Sequence, residues 1–408
     1  MKYVIVGNSA AGIGGVEGIR SVDRSGEIVM FTDEPYHTYS RPLISYYLQG
    51  KTDIEKMSYR PEGFYCDNNV RLERGVKVAA IDAENRRVVL DSGASESYDK
   101  LLLATGSRAA TPPIDGLENA ALLFHFLTLD DAKALKSIVA PNSRVLIVGA
   151  GLIGLKCAEG LSATGCSITV TDIAGRVLSA ALDEGGASMV QRHMEQQGIR
   201  FRLNDRIAKI TKNRATFAGG QHVDFDILVV AAGVLPNTEL MCALGCDAQR
   251  GIRVDSLSQT EVPGIYAAGD CVRCCDISSG QEKIMAILPN AYLQGEAAGV
   301  NMAGGNKSFE TPIPMNAVTL MGLRVISAGT FAGEEHNAGD EGAYKKLFVE
   351  DNLLKGYILI GHVERAGIYT SLITGKIPLD TIDFDLMKAQ PQLMAFSRSG
   401  RQKMLGGQ

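Results

Sequence analysis

The residues of this chain whose types and spacing could do chemistry begin with three glycines. Gly149-x-Gly151-x-x-Gly154 follows the apolar run Arg144 to Val148. A first glycine lets the chain turn sharply, a second lets a pyrophosphate approach the backbone, and a third lets the next helix pack closely. The phosphates then meet a helix N-terminus, whose free N–H groups and dipole favour an anion. Gly149, Gly151, Ile153 and Gly154 are the candidate residues of this loop. Asp172 closes the next apolar run, eighteen residues beyond Gly154. A carboxylate there accepts hydrogen bonds from an adenine ribose and repels a 2′-phosphate, so the pattern predicts NADH over NADPH.

A less regular copy opens the chain, at Gly7-Asn8-Ser9-Ala10-Ala11-Gly12. Ser9 stands where the middle glycine would, and serine is small enough to keep the turn. Gly7, Ser9, Ala10, Ala11 and Gly12 are its candidates. Thr32 ends the following strand where an acid is expected, and Asp33 and Glu34 come next. Glu34 is the favoured ribose ligand; Asp33 reads equally well as a solvated turn residue.

Both loops need a strand before them and a helix behind. The first has the strand Tyr3 to Val6, a helical stretch Ile13 to Ser21 and the strand Ile28 to Phe31; the second has Arg144 to Val148, a helix through about Thr164 and Ser167 to Thr171. Each is a βαβ unit, so the expected fold class is α/β, with two Rossmann-like dinucleotide domains and a C-terminal α+β domain. Short alternating strands follow the first copy at Lys77 to Asp82 and Arg87 to Leu90. The run Leu101 to Gly106 precedes the linker Pro112-Pro113. Small residues also close Ile227 to Val230, as Ala231-Ala232-Gly233, while Gly264 to Asp270 reads as a return to the first domain. The expected boundaries are 1–112 and 248–307 for the first domain, 113–247 for the second and 308–408 for the third. In the last, Arg324 to Ser327, Lys346 to Val349 and Gly356 to Ile360 read as strands and Glu364 to Leu372 as a helix; the tail Phe396 to Gln408 reads as frayed.

A 408-residue chain exceeds one compact core, and its net charge of −5 argues against a nucleic-acid surface. No apolar run approaches the roughly 18 residues that cross a bilayer, and the opening strand leaves no targeting segment. The expectation is therefore no membrane and no nucleic acid. Eight irregularly placed cysteines suit a reducing cytoplasm. Cys271, Cys274 and Cys275 include one C-x-x-C, readable as small buried thiols or as a dithiol; no second matching pair and no histidine spacing supports a metal. The 45 glycines exceed ordinary usage and call for a reason.

These motifs, together with Tyr39-Ser40-Arg41-Pro42, Ala104-Thr105-Gly106 and Tyr266-Ala267-Ala268-Gly269-Asp270, resemble the pyridine-nucleotide-dependent flavoprotein reductases of the glutathione-reductase superfamily. The resemblance covers nearly the whole chain. It is strongest to the branch without a redox disulfide: rubredoxin reductases, oxygenase ferredoxin reductases and the flavin module of NADH-dependent nitrite reductases. It implies FAD at the first loop and NADH at the second, with Asp270 on the ribityl and pyrophosphate region. Val78, Ala104, Thr105, Gly106, Arg41, Pro42, Asn290 and Ala291 then lie along FAD, and Ala232 and Gly233 on the nicotinamide side. No cysteine precedes Cys66, so the redox cysteines of disulfide-reducing relatives are missing. Lys156 departs from the family, standing where many relatives carry a glutamate near the flavin; it either stabilises the reduced ring or points to solvent. Lys51 loosely matches a flavin-proximal lysine. The implied activity passes electrons from NADH through FAD to a small electron-transfer protein or a partner reductase subunit, and a homodimer is compatible with it. An NADH oxidase, peroxidase or disulfide reductase, and a non-catalytic nucleotide-binding sensor or assembly subunit, are the alternatives.

Overall fold

The computed structural model describes residues 1–339 and 342–396; of the C-terminal tail only Phe396 is among them. Each glycine loop sits where expected between strand and helix. In the first copy, β1 (Lys2–Val6) runs into α1 (Ala10–Val22) and β2 (Glu27–Thr32); in the second, β3 (Arg144–Val148) runs into α2 (Leu152–Ser162) and β4 (Ser167–Thr171). The strands are nearly continuous apolar runs buried on both faces, the pattern that parallel sheets demand.

The contacts divide the chain into two units. The first comprises Met1–Ala109, Val234–Asp276 and Gln281–Pro312; the second comprises Ala110–Gly233, Ile277–Gly280 and Ile313–Gln408. Residues 234–247, expected with the second nucleotide domain, thus group with the first unit. The reason is local: Val234–Pro236 pairs antiparallel with Ser107–Ala109, the strand on which the chain leaves that unit.

The first unit is built on a parallel sheet in the order Ile265–Ala267, Lys100–Leu103, β1, β2, Val70–Arg74. The strand order reverses between β1 and Lys100–Leu103, which opens a crevice at the strands' C-terminal ends, where nucleotide sites form. The face of this sheet is covered by α1 crossing α3 (Leu288–Met302). That crossing accounts for much of the glycine excess. A Cβ on Gly14 would stand 2.3 Å from Tyr292 O, one on Gly18 2.2 Å from Glu296 O, and one on Gly295 2.0 Å from Ala11 O. The two helix backbones touch, and no larger residue fits between them.

The second unit repeats the plan, with parallel strands in the order Arg200–Arg202, β4, β3, Ile227–Val230, Leu123–His125. It also holds the C-terminal antiparallel sheet, in which β5 (Met315–Leu320) pairs with β6 (Leu323–Gly329), followed by Leu353–Ile360, Tyr344–Glu350 and Glu334–Asn337. The helix Ala366–Thr374 lies against it, with Tyr369 and Leu372 fully buried. Among the described residues no helix is long and apolar enough to cross a membrane.

If the helix crossing sets the geometry of the first unit, Gly295→Val is expected to cost about 3 kcal/mol or more, as overpacking against rigid backbone does. The check is denaturant unfolding followed by circular dichroism; an unchanged midpoint would show that α1 and α3 separate freely.

Candidate functional site

In the first unit Gly7 takes φ +117°, and a Cβ on it would meet Ala104 O at 2.0 Å. The end of β1 therefore lies directly against Ala104-Thr105-Gly106. A Cβ on Gly12 would meet Gly7 O at 2.0 Å, which folds the loop tightly under α1. Ser9 caps α1 with extended backbone and no side-chain hydrogen bond to the helix. The first-turn N–H groups, which have no intrahelical acceptor, are left to an anion.

The second unit repeats these distances. Gly149 also takes φ +117°, with its Cβ position 2.2 Å from Ala231 O and 3.1 Å from Ala232 N, and Gly154 closes on Gly149 O at 1.9 Å. Ala231-Ala232-Gly233 is thus the structural counterpart of Ala104-Thr105-Gly106. A Cβ on Gly151 would meet nothing within 4 Å, so the space above the cap of α2 is open where a pyrophosphate belongs. Ile153 lies half-buried in the first turn of α2. Asp172 reaches back to the loop: its carboxylate accepts from Ala150 N at 2.7 Å and Ala174 N at 2.8 Å. Each oxygen keeps a further lone pair for a ribose hydroxyl.

Asp270 follows Gly269, which takes φ +87° and donates its N–H to Gln294 Oε1 at 2.7 Å. Its carboxylate accepts one long bond, from Ser107 Oγ at 3.4 Å. Burial lifts the carboxyl above its usual range, and Ser107 and the Arg41 charge pull against that. A half-buried carboxylate so lightly bonded has acceptor capacity to spare. Glu34 is more occupied than expected, since Tyr39 donates to Oε2 at 2.7 Å and Arg41 forms an ion pair with Oε1. Burial works against the Arg41 charge, but Tyr39, Glu34 and Asp270 outweigh it and hold the guanidinium above its ordinary value. Pro42 follows in the short 3-10 turn Arg41–Leu43, and Asp33 is exposed. Asn290 and Ala291 lie buried in the first turn of α3, and Val78 is buried in the apolar cluster with Phe31 and Val88.

One residue the sequence reasoning missed is Asn237. Its Nδ2 donates to Thr105 O at 2.9 Å, its backbone N–H to Gly106 O at 2.9 Å, and Thr105 Oγ1 donates to Asn237 O at 2.7 Å. The stretch Val234-Leu235-Pro236-Asn237, just after Gly233, was the available signal.

Lys156 is neither solvated nor unpaired. It forms an ion pair with the buried Glu159 and donates to Thr319 O at 3.2 Å, while Glu159 Oε1 accepts from Met321 N at 2.9 Å. His193 Nε2 lies 3.0 Å from Met321 O. Side chains of α2 and of the helix Glu184–Gln196 thus grip the turn between β5 and β6, which accounts for a lysine in this position. The reading of Lys156 as a residue pointing to solvent is corrected by that geometry. Lys51 is exposed after Gly50. All eight cysteines are free. Cys271 is buried against Ala268 O and Leu103 O, and the Cys274 thiol is pushed up to about 11 by burial, against a bond from Gln294. Thiols held this far from ionisation are poor nucleophiles. Among the described residues no group of three metal-ligating side chains occurs.

Comparison with known proteins agrees with this geometry. Residues 1–295 match the pyridine nucleotide-disulphide oxidoreductase family, and residues 314–377 match the rubredoxin NAD+ reductase C-terminal domain. The chain is 31% identical to the NADH-dependent phenylglyoxylate dehydrogenase subunit epsilon of Aromatoleum evansii, over 93% of this chain and 92% of that one. It is 32% identical to the assimilatory nitrate reductase electron transfer subunit of Bacillus subtilis strain 168, over 88% of this chain but 47% of the relative, so it spans about half of that protein. Among solved structures, a ferredoxin reductase from Rhodopseudomonas palustris superposes with a TM-score of 0.85 at 26% identity, over 93% of this chain and 95% of that one.

Removing one partner of a buried ion pair leaves the other uncompensated, so Lys156→Met should destabilise the second unit by about 3 kcal/mol. Flavin absorbance should stay as in the wild type. A shifted flavin spectrum with unchanged stability would return Lys156 to the cofactor.

Proposed function

The chain belongs to the pyridine nucleotide-disulphide oxidoreductase family, and from that premise we propose that it carries electrons from NADH through FAD to a small electron-transfer protein of the rubredoxin or ferredoxin kind. It is an NAD(P)H-dependent oxidoreductase. The observation that carries the reading is the duplicated loop: each unit presents one helix cap, backed by glycines that admit no side chain, above a strand-order reversal. Two such cradles suit two dinucleotides.

We assign FAD to the first unit. The first turn of α1 would meet its pyrophosphate, and Gly7, Ser9, Ala10, Ala11 and Gly12 would let it approach. The lightly bonded carboxylate of Asp270 is suited to accept from ribityl hydroxyls, and Arg41, held charged beside it, suits the anionic cofactor. Glu34 would serve the adenosine end, although Tyr39 and Arg41 already occupy much of it. When bound, FAD supplies the redox chemistry that no side chain here can perform.

NADH is assigned to the second unit, where Gly149, Gly151 and Gly154 leave room at the cap of α2. Asp172 has two tasks in this reading. It fixes Ala150 of the loop, and its remaining lone pairs favour a ribose that bears hydroxyls over one that bears a phosphate. The acceptor assignment draws on the match of residues 314–377 to the rubredoxin NAD+ reductase C-terminal domain. Disulfide reduction is disfavoured because no cysteine precedes Cys66. Eight free thiols suit a reducing compartment, and we place the protein in the cytoplasm on that ground.

Anaerobic mixing with NADH should bleach the flavin absorbance quickly, NADPH should do so slowly, and rubredoxin or ferredoxin should restore the colour faster than air. Colour lost to neither nucleotide would leave a nucleotide-binding subunit without turnover. Asp172→Ala should raise the KM for NADH about tenfold, the worth of one lost hydrogen bond to a charged group, with FAD still bound; wild-type NADH kinetics in that variant would remove Asp172 from the site.

A further inference from the structure

The two loops are held open by different means, and the difference exposes a residue outside every motif. Both begin alike: Gly149 N donates to Thr171 O at 2.8 Å, and Gly7 N donates to Phe31 O at 2.8 Å. That shared bond aligns Asp172 with Thr32, each the residue that follows the accepting carbonyl. Asp172 ties down the second residue of its loop by accepting from Ala150 N. Thr32 makes no such bond; its Oγ1 accepts from Glu34 N at 3.3 Å instead. The second residue of the first loop is Asn8, and it is tied through its own side chain. Tyr65 donates to Asn8 Oδ1 at 2.5 Å, and Asn8 Nδ2 donates to Tyr36 O at 3.4 Å.

We propose that Tyr65 is a positioning residue for the N-terminal dinucleotide loop, doing through Asn8 what the strand-end acid does for the other loop. The proposal rests on the assignment of FAD to the first unit. Tyr65 is well placed for the task. It sits on the short helix Phe64–Asp67, is 8% exposed, and packs edge-on against Phe64 and His37 with ring centroids 5.3 and 5.0 Å away. Burial pushes its hydroxyl up to about 12, against the bond to Asn8, so it stays a donor across the physiological range.

A second observation points the same way. Beside the Tyr65 ring, His37 Nε2 and the Oγ1 of the buried Thr38 are themselves buried and have no hydrogen-bond partner among the described residues. Native proteins seldom leave such atoms unmet, except where a ligand or ordered water completes them. The polar cluster around Asn8 therefore has the character of a half-built binding wall.

The test is back-titration of FAD into deflavinated wild type, Tyr65→Phe, Asn8→Ala and the double variant, with melting temperatures taken with and without FAD. Tyr65→Phe keeps the ring and removes only the hydroxyl. Its FAD Kd should rise about tenfold, as for one buried hydrogen bond. The double variant should bind no more weakly than Asn8→Ala alone, because both changes break the same bond. The melting temperature of Tyr65→Phe should fall more in the presence of FAD than in its absence. An unchanged Kd, or equal falls in both melts, would show Tyr65 to be ordinary core and overturn the proposal. Wild type that fails to take up FAD would overturn the FAD assignment itself, an arm that contains no substitution.

Discussion

Everything in this molecule that resembles a site depends on main chain approaching main chain more closely than a side chain would allow. The Cβ that Gly7 lacks would stand 2.0 Å from Ala104 O, and the one that Gly149 lacks would stand 2.2 Å from Ala231 O. These gaps set where the first-turn N–H groups of α1 and α2 point, and therefore where an anion is held. In the first unit the constraint continues along α1, which carries Gly14, Gly15 and Gly18 onto α3. Glycine costs roughly 0.5–1 kcal/mol per position in a helix relative to alanine, so four glycines between Gly12 and Gly18 make a poor isolated helix. Packing against α3 offsets that cost, and the loop and the helix crossing stand or fall together.

Given that frame, the electrostatics divide between attraction and tethering. The helix caps provide partial positive charge without a side chain, while Asp172, Glu34 and Asp270 place carboxylates near the same crevices. These two tendencies conflict unless each carboxylate faces hydroxyls and not phosphate. Asp172 resolves the conflict by spending part of its capacity on Ala150 N and Ala174 N. Glu34 resolves it with Arg41 and Tyr39. Among the described residues Asp270 has Ser107 and the more distant Arg41, and burial lifts its carboxyl.

What could be read in the sequence was local. Strand, glycine turn and helix lie within thirty residues of one another, so Arg144–Val148 and Ser167–Thr171 were legible from pattern alone, and the apolar run Ile227–Val230 from its composition. The duplication and the C-terminal sheet followed from the same periodicities. The supports of the loops were not legible, because they join positions far apart in sequence: Asn8 to Tyr65, Thr105 to Asn237, Lys156 to Thr319. Tyrosine and asparagine carry no spacing signature of their own, and only the folded backbone reveals which pairs meet. Lys156, a departure from the family pattern, has its charge answered by Glu159 one helical turn away.

The thiols bear on how electrons leave. A cysteine-based reductase needs a thiolate close to its flavin, and a thiol held at about 11, as Cys274 is, is ionised to roughly one part in ten thousand at neutral pH. Cys271 is buried and shifted in the same direction. Neither Cys271 nor Cys274 is therefore equipped to attack a disulfide. Transfer to an outside carrier makes no such demand. It requires only that the cofactor be held in place and that a partner come near, and a rigid backbone cradle with neutral or internally paired side chains is suited to the first of these.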